Sequence, residues 1–413
     1  MMKLFRLQIV LLVLAGASSV RAGKVEIIRD SYGVPHVFAR SQFDACLGLG
    51  YAQAEDNLDA VLKYVMDARA QAGRVAGQRQ NIEQDFRFRM FRLPQISKAL
   101  YEQMADTERS RSDGFAEGIN TYLRRHPDRK PDWFDRMTGV DTVAVIKAYQ
   151  IRQQWANVMQ DMRGVVQTGR EIDQAGSDDG GASNMWCVGP TRSTEGEVML
   201  LSDPHLPWTG SSRWYESHVV VGDRWVYGAG FFAFAGAGIG FTQDVAWGAT
   251  NNGADMADVY RVALNADNAG QYRYEDQWRD ITTRVVEIEV LGRGNIKRTF
   301  RHTHHGPIIS EDRSKNVAYA ARLAGLETMN LARIGSAYFN AETVHDLYRA
   351  DSGGDFHKGH RVMIDRQGNI SYLYHACTHE RDDGFDSVSY KHPEPTIHDS
   401  GSGIQKKCLK MCG

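Results

Sequence analysis

The sequence predicts an α+β protein in which a helical part precedes a strand-rich one. Three observations carry that reading. From Phe43 to about Val75 apolar residues recur at helical spacing, and helix-like patterning continues to roughly Val165. Residues 174–182, QAGSDDGGA, are small, acidic and glycine-rich and cannot hold a core. After Ser183 the texture changes to short runs of β-branched and aromatic residues bounded by turn formers. The two parts read as one body or as two tightly apposed ones, and no sequence repeat divides them further. The composition agrees: 413 residues, 42% hydrophobic, 24% charged and a formal net charge of −2 describe an ordinary globular chain with ample length to bury a core. Its cationic runs, such as Arg124-Arg125 and Lys406-Lys407, are short and isolated. A nucleic-acid partner would demand a basic stripe, so that class is excluded.

Residues 1–22 read as a secretory signal peptide. Lys3 and Arg6 lead an apolar run from Leu7 to Gly16, and the small residues at Val20-x-Ala22 mimic a cleavage site after Ala22. The run is shorter than the roughly 20 apolar residues that span a hydrocarbon core. The expectation is a secreted or periplasmic chain with no membrane attachment after cleavage. Residues 23–173 form the helical segment, preceded at 25–40 by two short strands, VEIIRD and PHVFA, around a Tyr32-Gly33-Val34-Pro35 turn. Residues 174–182 are an exposed linker, and 183–395 hold the strands, among them NMWCVG, EVMLLSD, QDVAWGA, TRVVEIEVLG, RVMID and NISYLY. The five cysteines are odd in number and widely spaced, with no CxxC pair, so neither a zinc ribbon nor a dense disulfide scaffold is indicated; whether Cys377 is bridged stays open.

The residue with the most chemical interest is Ser183, where the linker meets the first strand. On pattern alone it is either a loop serine preceding a strand or a residue exposed by chain cleavage. In the second case it would own a hydroxyl nucleophile and an α-amine with a reference pKa of about 7.7 to 8.0, a general base poised close to neutral pH.

Several blocks, in order over most of the chain, decide between these. They are Asp30-Ser-Tyr-Gly33-Val34-Pro35-His36-Val, Gly50-Tyr51-Ala52-Gln53-Ala54-Glu55-Asp56-Asn-Leu58, Ser183-Asn-Met-Trp186, Asp203-Pro-His205, Trp247-Gly-Ala-Thr250 and Gly368-Asn369-Ile370-Ser-Tyr372. Together they resemble the penicillin acylase family of N-terminal-nucleophile amidohydrolases, which includes acyl-homoserine-lactone acylases and cephalosporin acylases. The resemblance implies a four-layer αββα sandwich and a precursor that cleaves itself, so that a serine begins the β chain of an α/β heterodimer. It implies a small-molecule acyl amide as substrate and no organic cofactor. Ser183 then matches the nucleophile, His205 the side chain that holds its amine, and the backbone N–H of Asn251 one oxyanion donor. The second donor in the family is an asparagine five residues before the Asp of the strand leading into the Gly-Asn turn; here that Asp is Asp365 and His360 stands in the asparagine's place, a departure expected to weaken catalysis. Calcium is implied at Asp255, the Ala257 carbonyl and Asp258, with Glu171 before the linker as the α-chain ligand. Leu206, Trp208, Phe231 and Phe232 are expected to line an apolar acyl pocket.

Other signals are weaker. Asp351-Ser352-Gly353-Gly354-Asp355 imitates a serine-protease loop without a matching histidine motif, and reads as a helix-to-strand turn. His302, His304, His305, His357 and His360 suggest a metal centre, but with His302 and His304 on one side of a strand and His305 on the other a structural role is preferred. Gly236-Ala-Gly238-Ile-Gly240 leads into a strand, so it is a tight turn near the pocket and not a dinucleotide loop. The family's β chain is longer than the stretch after Ala182, and residues 396–413 show no family pattern and read as an aberrant tail. The second reading is therefore a truncated, catalytically silent relative that at most binds acyl amides; a third, a secreted metal hydrolase, would use the histidines.

Overall fold

Ser41 opens the first long helix, Gln42–Ala68, by accepting the Asp44 N–H on its Oγ at 3.1 Å. This helix packs against Asp106–Arg125 along a seam without side chains. A Cβ at Gly118 would lie 2.1 Å from the Leu47 carbonyl oxygen, one at Gly50 2.2 Å from that of Phe115, and one at Gly114 2.3 Å from that of Phe43. Only glycine permits so close an approach. A third long helix, Gly139–Asp161, starts at Thr138 with a capping box in which Asp141 accepts from the Thr138 N–H at 2.7 Å. These helices, with Arg79–Met90 and Leu93–Gln103, realise the helical first part that the periodicity predicts.

In the computed structural model, residues 8–12, 25–164, 183–209, 213–329, 331–352, 358–379, 397–399 and 406–408 are described. They form an α+β architecture around a nine-stranded sheet, ordered Gln8–Leu12, Val25–Arg29, Pro35–Ala39, Trp214–Val221, Arg224–Phe231, Ile239–Thr242, Val245–Thr250, Gly359–Asp365 and Ile370–His375. Neighbours are antiparallel except where Pro35–Ala39 runs parallel to Trp214–Val221, pairing His36 with His218 and Ala39 with Val221. The run from Glu216 to Phe231, continuous in the sequence pattern, is broken by a hairpin turn at Gly222, whose φ of 65° suits glycine.

Pairing registers assign the faces of this sheet. Trp247 lies opposite Met363 and Ala249 opposite Arg361, on one face; Gly248 lies opposite Val362 and Thr250 opposite His360, on the other. The first face is covered by helices Leu331–Asn340 and Val344–Ser352, where Trp247 meets Tyr338 edge-on at 4.8 Å in a core with Ile334, Leu347 and Met363. The second is covered by the hairpin Ser183–Val188/Met199–Pro204, because a Cβ at Gly248 would lie 3.1 Å from Ser202 Cβ. At this point the described residues make three layers: helix, sheet and hairpin. A second sheet of four strands contains Ile308–Asp312, Val317–Leu323, Ala257–Ala263 and Ile397–Asp399.

Of the segment read as a signal peptide, Gln8–Leu12 is described, as an edge strand antiparallel to Val25–Arg29; the cleavage point after Ala22 lies outside the described residues. The linker 174–182 and Glu171 also lie outside them. Within the tail, two short strands differ from the patternless reading: Ile397–Asp399 beside Ala257–Ala263, and Lys406–Cys408 beside Cys377–His379. Among the described residues, no helix is long and apolar enough to cross a membrane.

The helices are tied to the strands by a buried cation. Lys147, fully buried, donates from Nζ to Gln150 Oε1 and to the Gly325 carbonyl, both at 2.9 Å, and also to the Thr328 carbonyl. Gln150 and Gln154 both donate to the Ala324 carbonyl, at 2.9 and 2.8 Å. A buried charge is tolerated only when its donors are used in this way. The consequence is positional: the turn around Gly325, which leads to Met329, is fixed against the helix that carries Ile146 and Tyr149.

Candidate active site

Between the helices and the sheet lies a cavity of ≈ 170 Å³. Ile146, Tyr149 and Tyr338 wall it from the helices, Trp214 and Phe231 from the sheet, and the turn Gly236–Gly238 closes one side, as its glycine pattern predicts. Ser183, Pro204 and Leu206 reach it from the hairpin, and Ala249, Thr250 and Asn251 from the end of the Val245–Thr250 strand.

Strand alternation explains which candidates arrive there. Ser183 pairs with Pro204, and both border the cavity; Asn184 pairs with Asp203, one residue on, and points to the opposite side. His205 follows Asp203 on that outer side. Its Nε2 lies 2.9 Å from Asp203 Oδ2 and 3.1 Å from Asn184 Nδ2, and the side chain is exposed. Thus the serine and Asn251 share the cavity, whereas His205 is off its wall. His360 is off it too: it projects from the face opposite Arg361 and its Nδ1 meets the Tyr372 hydroxyl at 2.7 Å. Burial holds the His360 imidazole below its usual pKa.

The pocket expectations divide in the same way. Leu206 and Phe231 line the cavity. Trp208 is 93% exposed and forms no wall. Phe232 is buried elsewhere, against Tyr215 with ring centroids 5.3 Å apart, because the chain turns after Phe231 and the next side chain enters the main core.

Among the wall residues that the sequence did not single out for the pocket are Arg361 and His375. Arg361 Nε stands 3.4 Å from Asp351 Oδ2, and Nη1 donates to the Gly238 carbonyl at 3.3 Å. The same Asp351 oxygen accepts from the Tyr338 hydroxyl at 2.5 Å, so the residue preceding the protease-like Ser352 is a buried support. Burial, reinforced by the Asp351 charge, holds the Tyr338 phenol well above its ordinary range. His375 pairs with Gly359 across the strands and is 7% exposed. The available signal was parity: His375 alternates with Leu373, which pairs with Arg361, so both polar residues share the sheet face that borders the cavity.

Burial, aided by the Arg361 charge, pushes the His375 pKa down to about 4. A histidine whose folded pKa lies below its unfolded value contributes its full stability above the unfolded pKa of about 6.5 and loses it as pH falls towards 4. At 1.4 kcal/mol per unit this is about 3 kcal/mol. Chemical denaturation of His375→Leu between pH 7 and pH 4 is expected to show an acid loss smaller than the wild type's by about that amount. Parallel pH curves for the two proteins would contradict it.

The remaining histidines fall into structural places. The strand Gly294–His302 ends at His302, so the alternation expected through His305 does not extend that far. A turn closed by Thr303 and Gly306 follows, and it brings the His304 and His305 rings to 3.8 Å from each other. His304 Nδ1 meets the Tyr272 hydroxyl at 2.6 Å, and His305 stacks on Tyr260 at 4.0 Å. His357 lies outside the described residues. Among the described residues no group of three or more His, Cys, Asp or Glu could hold a metal. For calcium, Asp255 and Asp258 are oxygen donors of the right kind. Asp255 Oδ1 accepts the Ala257 N–H at 3.3 Å, and the buried Asp258 has Oδ2 2.5 Å from His379 Nδ1.

Comparison with known proteins gives this geometry a context. A family model described as penicillin amidase matches residues 24–397. The chain is 25% identical over 371 residues to acyl-homoserine lactone acylase PvdQ of Pseudomonas fluorescens (strain Pf0-1), covering 81% of this chain and 47% of that protein. It is 26% identical over 324 residues to aculeacin-A acylase of Actinoplanes utahensis, covering 68% of this chain and 40% of that one. Among solved structures, a thermostable penicillin G acylase from Alcaligenes faecalis in an orthorhombic form is similar at 24% identity and a TM-score of 0.46, over 56% of this chain and 40% of that chain. The chain spans about half the length of the curated acyl-homoserine lactone acylases it matches. Because the family match runs through the helical part, the cavity-lining strands and Ser183 alike, the chain belongs to the penicillin amidase family.

Proposed function

We propose that this chain is the precursor of a self-processing amidohydrolase that hydrolyses the amide of an acylated amine through a Ser183 acyl-enzyme. The observation that carries the reading is that Ser183, at the junction of an acidic glycine-rich segment and a strand, borders the same cavity as Asn251. In the maturation step Ser183 Oγ attacks the Ala182 carbonyl and the C–N bond breaks, so that the peptide bond becomes an ester and the Ser183 α-amine is freed; water then hydrolyses the ester, releasing the Ser183 hydroxyl and a carboxylate on Ala182. In turnover that amine accepts the hydroxyl proton as Oγ attacks the substrate carbonyl, directly or through a water. The Asn251 N–H receives the developing oxyanion, and the protonated amine returns its proton to the leaving amine. Water then releases the acyl group by the reverse sequence.

Apolar walls and a volume near the roughly 150 Å³ that accommodates benzene suit an acyl group of ring or short-chain size. The names of the relatives, acylases of acyl-homoserine lactones and of aculeacin A, support acyl amides as the substrate class. The fold reading extends to a four-layer αββα sandwich and to an α/β heterodimer in a secretory compartment. His205 and His360 belong to the reading in their family roles, His205 as the side chain that holds the Ser183 amine and His360 at the place of the second oxyanion donor. Calcium at Asp255, Ala257, Asp258 and Glu171 is a separate proposal, which would require His379 to release Asp258; it is tested by titrating Ca²⁺ while following the melting temperature.

The deciding experiment is N-terminal sequencing and mass spectrometry of purified material, coupled to a hydrolysis screen of penicillins, acyl-homoserine lactones and simple acyl amides. A new terminus Ser-Asn-Met-Trp with acyl release supports the proposal. An intact chain that binds acyl amides without cleaving them supports the silent-relative reading instead. The rate should climb with pH through the α-amine pKa near 8 and level above it, because only the unprotonated amine is a base.

A further inference from the structure

Two of the five cysteines stand opposite each other. Where Cys377–His379 pairs antiparallel with Lys406–Cys408, the register sets Cys377 against Cys408, Thr378 against Lys407 and His379 against Lys406. Directly opposite residues of such a pair share a face and have Cα atoms about 4.5 to 5.5 Å apart, within the roughly 4.4 to 6.8 Å that a disulfide spans. Cys46 sits in the main core on the helix Gln42–Ala68. Cys187 belongs to the hairpin, whose Gly189 neighbours Ile370 at the far end of the strand Ile370–His375. We propose that Cys377 and Cys408 are joined as a disulfide that clamps the tail onto the body of the protein. Cys408 lies beyond residue 397, where the family match ends, so the clamp is a feature of this chain's own tail.

The two strands are unequal partners. Cys377, Thr378 and His379 are all buried, and Cys377 packs in a core with Ala254, Met256, Ala324 and Ala376. The tail strand brings two lysines and only three residues, too short a ladder to hold itself in water. A covalent link supplies what packing does not. In forming it, the Cys408 thiolate, favoured by the adjacent Lys407, attacks a disulfide of the glutathione type and displaces one thiolate. The Cys377 thiolate then attacks the Cys408 sulfur and displaces the second. The two protein thiols lose two protons and two electrons, and the oxidant's S–S bond takes the electrons. The oxidising compartment this needs is the one that the secretory reading above supplies; the chemistry of Ser183 plays no part in it.

The test uses the full chain. It is equilibrated in an oxidising glutathione buffer, thiols are blocked with N-ethylmaleimide, and a tryptic digest is mapped by mass spectrometry without reduction. Trypsin cuts after Lys407 and Lys410, so Cys408 and Cys412 fall in different peptides. The expected product is the Cys377 peptide joined to Cys408-Leu-Lys410, with Cys412 alkylated. In limited proteolysis of the native protein, reduction of the wild type is expected to speed cleavage after Lys406 and Lys407 by about tenfold or more, because the tail opens more often once the loop is no longer closed. Cys408→Ser should reproduce that rate without reductant, and Cys412→Ser should leave it unchanged. Alkylated Cys377 and Cys408, a glutathione adduct on Cys408 that Cys377 does not displace, a link from either to Cys412, a link between two copies, or a tail cut equally fast with and without reductant would each overturn the proposal. An uncut Ala182-Ser183 bond in a chain that carries the Cys377–Cys408 link would instead overturn the functional reading and leave the clamp standing.

Discussion

Ser183→Ala is expected to leave the chain uncut at residue 182 and to remove acyl-amide hydrolysis, by at least about 10⁴-fold and up to the 10⁶-fold typical of a lost nucleophile. Under the proposed mechanism the variant loses both tasks at once, because one oxygen would attack the Ala182 carbonyl in maturation and the substrate carbonyl in turnover. Alanine keeps the small side chain at a half-buried position, so the fold should be undisturbed. Electrophoresis should show one band where the wild type shows two, with an unchanged circular dichroism spectrum. Two bands from the alanine variant would mean that another nucleophile or a protease makes the cut.

Gly118→Ala is expected to cost substantial stability. Two effects oppose each other. Alanine gains about 1 kcal/mol of helix propensity over glycine. Against this, the new Cβ would sit 2.1 Å from the Leu47 carbonyl oxygen and 2.7 Å from the Tyr51 amide nitrogen. Both atoms are backbone, so no rotamer change relieves the overlap, and the two helices must move apart through a core containing Leu47, Tyr51 and Ile119. Overpacking of this kind costs about 1 to 3 kcal/mol and occasionally more. The steric effect wins, and a net loss of about 2 kcal/mol or more is expected in denaturant unfolding. Gly236→Ala, where nothing lies within 4 Å of the added atom, serves as the control and should stay within about 0.5 kcal/mol.

The contrast between those two glycines shows what the sequence made legible. Periodicity identified the long helices and most strands, because burial on one face leaves a repeating pattern that needs no partner to be read. It gave the helix Gln42–Ala68, though not its end before the separate turn of helix at Ala72–Ala76, and not the seam at Gly50, Gly114 and Gly118, since close approach depends on which helices become neighbours. The candidate site followed the same division. Ser183 was visible from its junction with the linker, and Asn251 from the resemblance; both meet at the cavity. Trp208 was placed in the pocket because it is large and apolar and close in sequence to Leu206, but alternation ends with the strand at Pro204 and its ring faces solvent. Arg361 and His375 were missed as pocket residues because their value lies in a cross-strand register and in Asp351 beneath, which are tertiary facts.

The parallel ladder between Pro35–Ala39 and Trp214–Val221 joins residues from either side of position 182 within one sheet. A nick there would sever the backbone without releasing either fragment. Four consecutive register pairs, the shared hydrophobic core and the Lys147 tether would all have to be undone for the pieces to part. Nicked material should therefore elute from a native column as a single species at any practical dilution, and resolve into two only in denaturant. Its covalent continuity is dispensable once folding is complete, whereas refolding from separated fragments would become a bimolecular process.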